Sequence, residues 1–383
     1  MKIYVFRVLF VSLVLLVSMS SLLMAQVQDR VDIFTICIEN ESNSLEVTGV
    51  SLHFFDEELE LLVYQTEGKK SHKITASENG ITVDGKTIDT ERLRIRSTQN
   101  WVQYKGRVYR EDLIAVRMPD NHNRIALVNE IQLESYLYGL INKECLKSWP
   151  IEAKKAQAVA ARSYALHRKI NSPRKVCDLG SSALDQVYGG FSAEDEAARE
   201  AVEKTRGEVL VHNNKVAKAY YHSTCGGITA SSASIWKDPQ PYLVPQTCPT
   251  DAASPAHNWT YNIRKSELAK KLGVPISKRK SFRFDIMERD DSGRVKTIRI
   301  FVDGQKTVKL TGEKFRKKVG YGKIKSTLFS FGIKSGKVNF KGRGLGHGVG
   351  MCQWGAAGFA KQGLKYQSIL GYYYPGTTIR RIY

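Results

Sequence analysis

Hydrophobic and polar residues alternate along much of the first third of the chain. Between positions 30 and 130 short runs such as Trp101–Tyr104, Arg107–Tyr109 and Arg124–Asn129 carry the period-two pattern of half-buried strands. Ile81–Asp89 adds a hairpin signal, with Asp84-Gly85 at the turn. The period then lengthens. Glu134–Ile141 predicts a short helix, and a longer one starts at Trp149-Pro150, because proline is tolerated in the first helical turn. Ala156, Val159, Ala160, Ser163, Tyr164 and His167 follow at helical spacing, and the alanines predict close packing. A third helix is expected over 193–206, stopped by Gly207.

Beyond it, 208–212 and 215–222 read as two strands of one hairpin around Asn213-Asn214. A small helix over 266–272 ends at Gly273. Residues 281–310 return to strands, with Asp303-Gly304 as a turn. The end of the chain is glycine-rich and then helical. The whole predicts an α+β fold: a β-rich N-terminal region over 26–123 and a core over 124–383 that carries a β-rich insertion at 260–340.

The first 25 residues differ from the rest. Lys2 and Arg7 precede an apolar stretch from Val8 to Met24, and Ala25 leads into a polar run. A basic start, an apolar middle and a small residue at the end read as a secretory signal peptide, with an uncleaved anchor as the alternative. No other segment is long and apolar enough to span a bilayer, so no membrane span is expected after cleavage. The formal net charge is +20, or +18 once Lys2 and Arg7 are removed. Such a charge favours an anionic partner. Export argues against nucleic acid and for a wall polymer, in which muramic acid carries a lactyl carboxylate. The six cysteines show no CxxC spacing. One or two bridges are expected in an oxidising compartment, with Cys225–Cys248 as the first choice.

Three clusters carry candidate chemistry. Residues 134–150 hold two carboxylates, Glu134 and Glu144, and the second lies beside Cys145 and near Trp149. An aromatic wall can favour a protonated carboxyl, as a glycosidic general acid requires. The plain alternative is a helix-capping Glu134 and a Glu144 paired with lysine. Residues 220–227 place His222, Ser223, Thr224 and Cys225 before two glycines. A Cys–His nucleophile pair is one reading, weakened by the close spacing and by oxidation on export. Residues 342–355 alternate glycine with His347, Gln353 and Trp354, fitting one wall of a polymer cleft or a tight buried crossover. They match neither a Walker A loop nor a dinucleotide fingerprint. For a metal there is no HExxH; His167, Cys177, Asp178 and Asp185 are the candidate ligands of the stretch after the long helix.

Taken together and in order, these stretches resemble the SpoIID/LytB family. The residues that carry the likeness are 133–140, the AlaGlnAlaValAlaAlaArg run within 153–165, 185–190, 220–229, 241–245, 346–356 and 373–376. The resemblance implies a lytic transglycosylase acting on peptidoglycan glycan strands stripped of stem peptides, with Glu144 as the catalytic acid. This chain reads Glu144-Cys145 where the family often has Glu-Met. The implied substrate-contacting groups are Tyr188, His222, Ser223, His347, Gln353, Trp354 and Arg162. No cofactor is required by that chemistry. Some members carry zinc, which here would fall to His167 and Cys177. Other members are named as enhancers of a wall amidase, so a non-catalytic wall-binding protein that recruits an amidase is the rival reading. A metal-dependent amidase is disfavoured by the missing ligand motif.

Overall fold

The computed structural model describes residues 33–171, 176–183, 185–274, 282–302 and 306–383. The expected signal peptide and the Asp303-Gly304 turn lie outside the described residues. The chain forms two compact units: one holds residues up to 143 together with 168–194, the other 144–167 together with 195–383. The boundary expected at 123/124 instead falls inside a strand, Asn121–Gln132.

The first unit is built on two antiparallel sheets. Seven strands run in the order Leu179–Gly180, Ile33–Ser42, Asn121–Gln132, Asp112–Met118, Arg92–Ser97, Leu52–Asp56, Leu61–Gln65, with only the first pair parallel. Six more run in the order Arg107–Arg110, Trp101–Tyr104, Leu45–Val50, Lys69–Ser77, Gly80–Val83, Lys86–Ile88. Ile125, Ala126, Leu127 and Val128 are all fully buried, so this central strand is covered on both faces. The Asp84-Gly85 turn has positive φ at both positions, 48° and 91°, the geometry that suits a two-residue hairpin. Cys37 and Cys177 are bridged across 140 positions of sequence. The expected Cys225–Cys248 bridge is not formed; both residues are thiols. Helix α1, Leu133–Glu144, buries Tyr136, Leu137, Leu140 and Ile141 at the spacing its sequence shows.

The second unit is organised around helix α2, Ile151–Asn171, whose residues 153 and 154, 156–166 are buried. Its alanines let other elements come close: Ala156, Val159 and Ala160 share a core with Leu210, Met351, Ile369 and Leu370. Helix α3, Glu196–Glu203, is shorter than expected and begins at Asp195, whose side chain accepts from the Ala198 amide. The strand Glu208–His212 turns through Asn213 and Asn214, both at positive φ, into Lys215–Val216. There the expected hairpin stops. Tyr221–His222 pairs in parallel with Met351–Cys352 instead, so this end of the strand belongs to the glycine-rich segment and not to its own hairpin.

Residues 258–343 contain a β-module with its own core, in which Phe284, Phe315, Phe329 and Phe340 meet. It includes helices α4, Lys265–Lys271, and α5, Gly312–Val319. Its first and last strands pair from Asn258 with Arg343 to Arg264 with Lys337. Helices α6, Gln353–Lys361, and α7, Tyr366–Tyr373, close the chain before the strand Thr378–Arg381 joins Glu208–His212. Among the described residues no helix is long and apolar enough to cross a membrane.

Candidate functional site

Glu144 is the last residue of α1. The loop that follows is held from below. Buried Lys154 on α2 donates to the Lys147 carbonyl at 2.9 Å, and the Trp149 amide closes a turn onto Leu146 at 3.0 Å. A partly buried carboxylate therefore stands on a fixed loop end. Gln353, at the start of α6, donates through Nε2 to Glu144 Oε2 at 2.9 Å and to Gln157 Oε1 at 3.3 Å. The next residue, Trp354, sets its ring edge-on to Trp149 with centroids 5.2 Å apart. Its backbone amide donates to Ser223 O at 3.1 Å. Glu144, Gln353, Trp354 and Ser223 are thus joined in one connected group.

Glu134 does not join them. It is buried in the first turn of α1, about 15 Å of helical rise from Glu144. The two carboxyls do not flank one bond.

A second group adjoins the first through the parallel pair. His222 is buried, and its Nδ1 donates to the Val349 carbonyl at 3.1 Å, which leaves a buried Nε2 with no hydrogen-bond partner. His347 lies beside it, ring centroids 5.5 Å apart, and its Nδ1 accepts from the Val349 amide at 3.0 Å. Burial pushes the His347 imidazole down to about 4, helped by the Arg316 and Arg294 cations. Burial, with His347 and Arg294 nearby, drives His222 well below the usual histidine range. Both rings are neutral at ordinary pH. Tyr220 stacks on Trp236 at 4.2 Å, and Trp236 meets His347 edge-on at 5.3 Å.

Several expected contacts are structural instead. Arg162 is fully buried and donates to the carbonyls of Glu208 and Val202 at 3.0 and 3.5 Å, so no substrate can reach it. Tyr188 is buried in the first unit, donating to Asn129 Oδ1 at 2.8 Å and packed between Tyr109 and Tyr136. The zinc ligands expected after the long helix have other partners in the fold. Cys177 is consumed by its bridge to Cys37, and Asp178 accepts from the Thr35 amide at 2.9 Å. Asp185 takes the Gly180 amide at 2.9 Å, and His167 Nδ1 bonds the Val216 carbonyl at 3.0 Å. The Cys225–His222 nucleophile pair also fails: Cys225 is buried, its thiol donates to Asp251, and burial pushes the thiol far up.

Gln157 and Trp236 were not singled out from the sequence. Gln157 had a signal: it is the one amide in an otherwise alanine-lined helical face, fully buried, with Nε2 lacking a partner. A separate cavity of about 690 Å³ opens on the β-module, lined by Trp259, Phe329, Arg289, Lys341 and Arg343 among others. None of its lining residues belongs to the Glu144 group.

The family model described as "Stage II sporulation protein" matches residues 121–212, which hold α1, α2 and Glu144. The stage II sporulation protein D of Bacillus subtilis is 32% identical over 66% of this chain and 75% of its own. The chain belongs to the stage II sporulation protein D family. The Bacillus amyloliquefaciens member is 30% identical over 70% of this chain and 78% of its own. An uncharacterized protein of Brachyspira hyodysenteriae is 31% identical over 80% of this chain and 79% of its own. The "Amidase enhancer" of Bacillus subtilis is 32% identical over 63% of this chain, which spans only 40% of that protein's length. A second model, described as a domain of unknown function (DUF8618), matches 236–350 and so covers the whole β-module of this family member.

Proposed function

We propose that the protein is an exported lytic transglycosylase that cuts peptidoglycan glycan strands lacking stem peptides, with Glu144 as acid and then base. The observation that carries the reading is the 2.9 Å bond between Glu144, the acid that the resemblance implies, and Gln353 of the glycine-rich 346–356 stretch. Glu144 in its acid form passes its proton to the glycosidic oxygen as the C1–O bond breaks and the electron pair leaves with that oxygen. Positive charge develops at C1 of the muramic-acid ring. The C6 hydroxyl then bonds to C1, and its proton goes to the Glu144 carboxylate. The product is a 1,6-anhydro end, and no water is consumed.

One carboxyl serves both steps, which suits a site in which Glu134 stands a whole helix away. The Gln353 amide can serve both states of Glu144: its NH2 faces the carboxylate, and a half-turn offers its oxygen to the acid. Trp354 and the partly buried Tyr220–Trp236 stack supply faces on which sugar rings pack. The net charge, +20 for the whole chain and +18 without Lys2 and Arg7, suits a polymer with lactyl carboxylates.

The test is incubation with denuded glycan strands and mass spectrometry of the ends. Anhydro ends made by the native protein and lost in Glu144→Gln support the reading. Release that survives that substitution moves the acid elsewhere. The likeness to an amidase enhancer favours a second reading, a wall-binding partner of an amidase. That reading stands if the protein releases nothing from any glycan yet raises the rate of a wall amidase.

A further inference from the structure

Three cysteines and one aspartate, none of them among the metal ligands expected from the sequence, converge inside the second unit. Cys225, Cys248, Asp251 and Cys352 are all buried, and their ligand atoms lie within 4.8 Å of one another. The geometry points to a structural tetrahedral zinc site made by Cys225, Cys248, Cys352 and Asp251.

The spacing suits that ion. Zinc–sulfur bonds of ~2.3 Å and zinc–oxygen bonds of ~2.0 Å set tetrahedral S···S edges of about 3.8 Å and S···O edges of about 3.5 Å. Asp251 Oδ2 lies 3.2 Å from Cys225 Sγ and 4.0 Å from Cys352 Sγ, either side of the ideal.

The surroundings suit thiolates. Cys352 Sγ receives the amides of Cys225 and Gly355 at 3.2 and 3.3 Å. Cys248 Sγ lies 3.1 Å from the Tyr373 hydroxyl. Asp251 is oriented by a further shell: Oδ2 takes the Gly226 amide at 2.7 Å, and Oδ1 pairs with His257 Nδ1 at 2.9 Å. Metal sites typically fix their carboxylates in this way. Three thiolates, a carboxylate and one divalent ion carry a net charge of −2. Arg294, itself buried, donates to the Cys225 carbonyl at 2.7 Å and offsets part of that charge. A disulfide would use two of the three sulfurs and leave only one for a metal.

Filling the site breaks three S–H bonds and forms three Zn–S bonds; the three protons pass to solvent and no electron moves. The ion would pin the 222–227 turn, the 248–251 segment and the first residue before α6. Gln353 comes next after Cys352, so the metal would set the position of the amide that meets Glu144. The site does not depend on the proposed glycan chemistry.

The experiment takes the full chain, prepared reduced and without a chelating resin. Expected are one zinc per chain by elemental analysis, release of about three protons when the apo protein takes zinc, and a tetrahedral thiolate spectrum when cobalt replaces it. Cys225→Ser and Cys352→Ser should lower zinc content at least tenfold, while Cys145→Ser, outside the cluster, should not. If those variants do not fold, the cobalt spectrum of the native chain decides alone. Folded native protein that takes neither zinc nor cobalt overturns the proposal, as does a Cys225–Cys248 disulfide found by peptide mapping of protein prepared with zinc.

Discussion

Gln353 reaches Glu144 across 209 positions of sequence, amide nitrogen to carboxylate oxygen, at 2.9 Å. The bond fixes the carboxyl from the side of α6, while the loop after α1 fixes it from the other. The two residues should therefore fail in different ways. Glu144→Gln removes the proton and should cut anhydro-end formation by about 10²–10⁴-fold with the fold intact. Gln353→Leu keeps the proton and loosens its carrier, so a smaller loss is expected, on the order of 10-fold. Rates on denuded glycan, with circular dichroism as a fold control, check both.

Arg162 belongs to the scaffold. Arg162→Met leaves the carbonyls of Glu208 and Val202 without these donors. Chemical denaturation should show a loss of about 2–4 kcal/mol. Glycan binding by the fraction that remains folded should be unchanged. A selective loss of binding at full stability would instead return Arg162 to the cleft.

The buried imidazoles make stability depend on pH. His347 is held down to about 4 in the folded chain, against an ordinary value of 6.5. Between these values the unfolded chain binds the proton and the folded chain does not, so stability falls as pH drops from 6.5 towards 4. Above 6.5 both states are neutral and the contribution is flat. His222 acts in the same direction. Arg294 and Arg316 are the cations that face His347. Thermal melts of His347→Gln should show a shallower decline over that window than the native protein.

The Cys37–Cys177 bridge has both ends in the first unit and closes 140 positions of chain. Replacing both with alanine should cost about 2–5 kcal/mol. The native protein should lose a similar amount on reduction, and the double variant nothing further. Melting with and without reductant checks this.

Much of the architecture is visible in the pattern alone, because burial on one face writes a period into the chain. Ile81–Ile88 shows its hairpin, and α1 and α2 show their apolar spacing. The motif set also led to Glu144, Gln353, Trp354 and Ser223, which the fold brings together. Arg162 and Tyr188 sit in equally distinctive motifs, yet they serve packing. A recurring motif marks that a residue is needed, and a buried arginine bonding carbonyls is needed as much as one that meets a ligand. The cysteine pairing departs from the expected one for a related reason. Cys37 and Cys177 meet only once the strands Ile33–Ser42 and Leu179–Gly180 align in parallel, and no local spacing encodes that. The strand at 221–222 pairs away from its expected hairpin neighbour, with a partner more than a hundred positions on that no local pattern announces.

The pairing of Asn258 with Arg343 means that the β-module leaves the chain and returns to it at adjacent points. In topological terms it is a cassette, which can be gained or lost without rerouting the backbone on either side. Arg294 limits that freedom. It reaches out of the cassette to the carbonyls of Cys225 and Ile228, and a side chain in place of Gly348 would strike its guanidinium. A lineage that discarded the cassette would have to find new donors for those two carbonyls. Deletion of 260–340 is therefore a change to the host as well as to the guest.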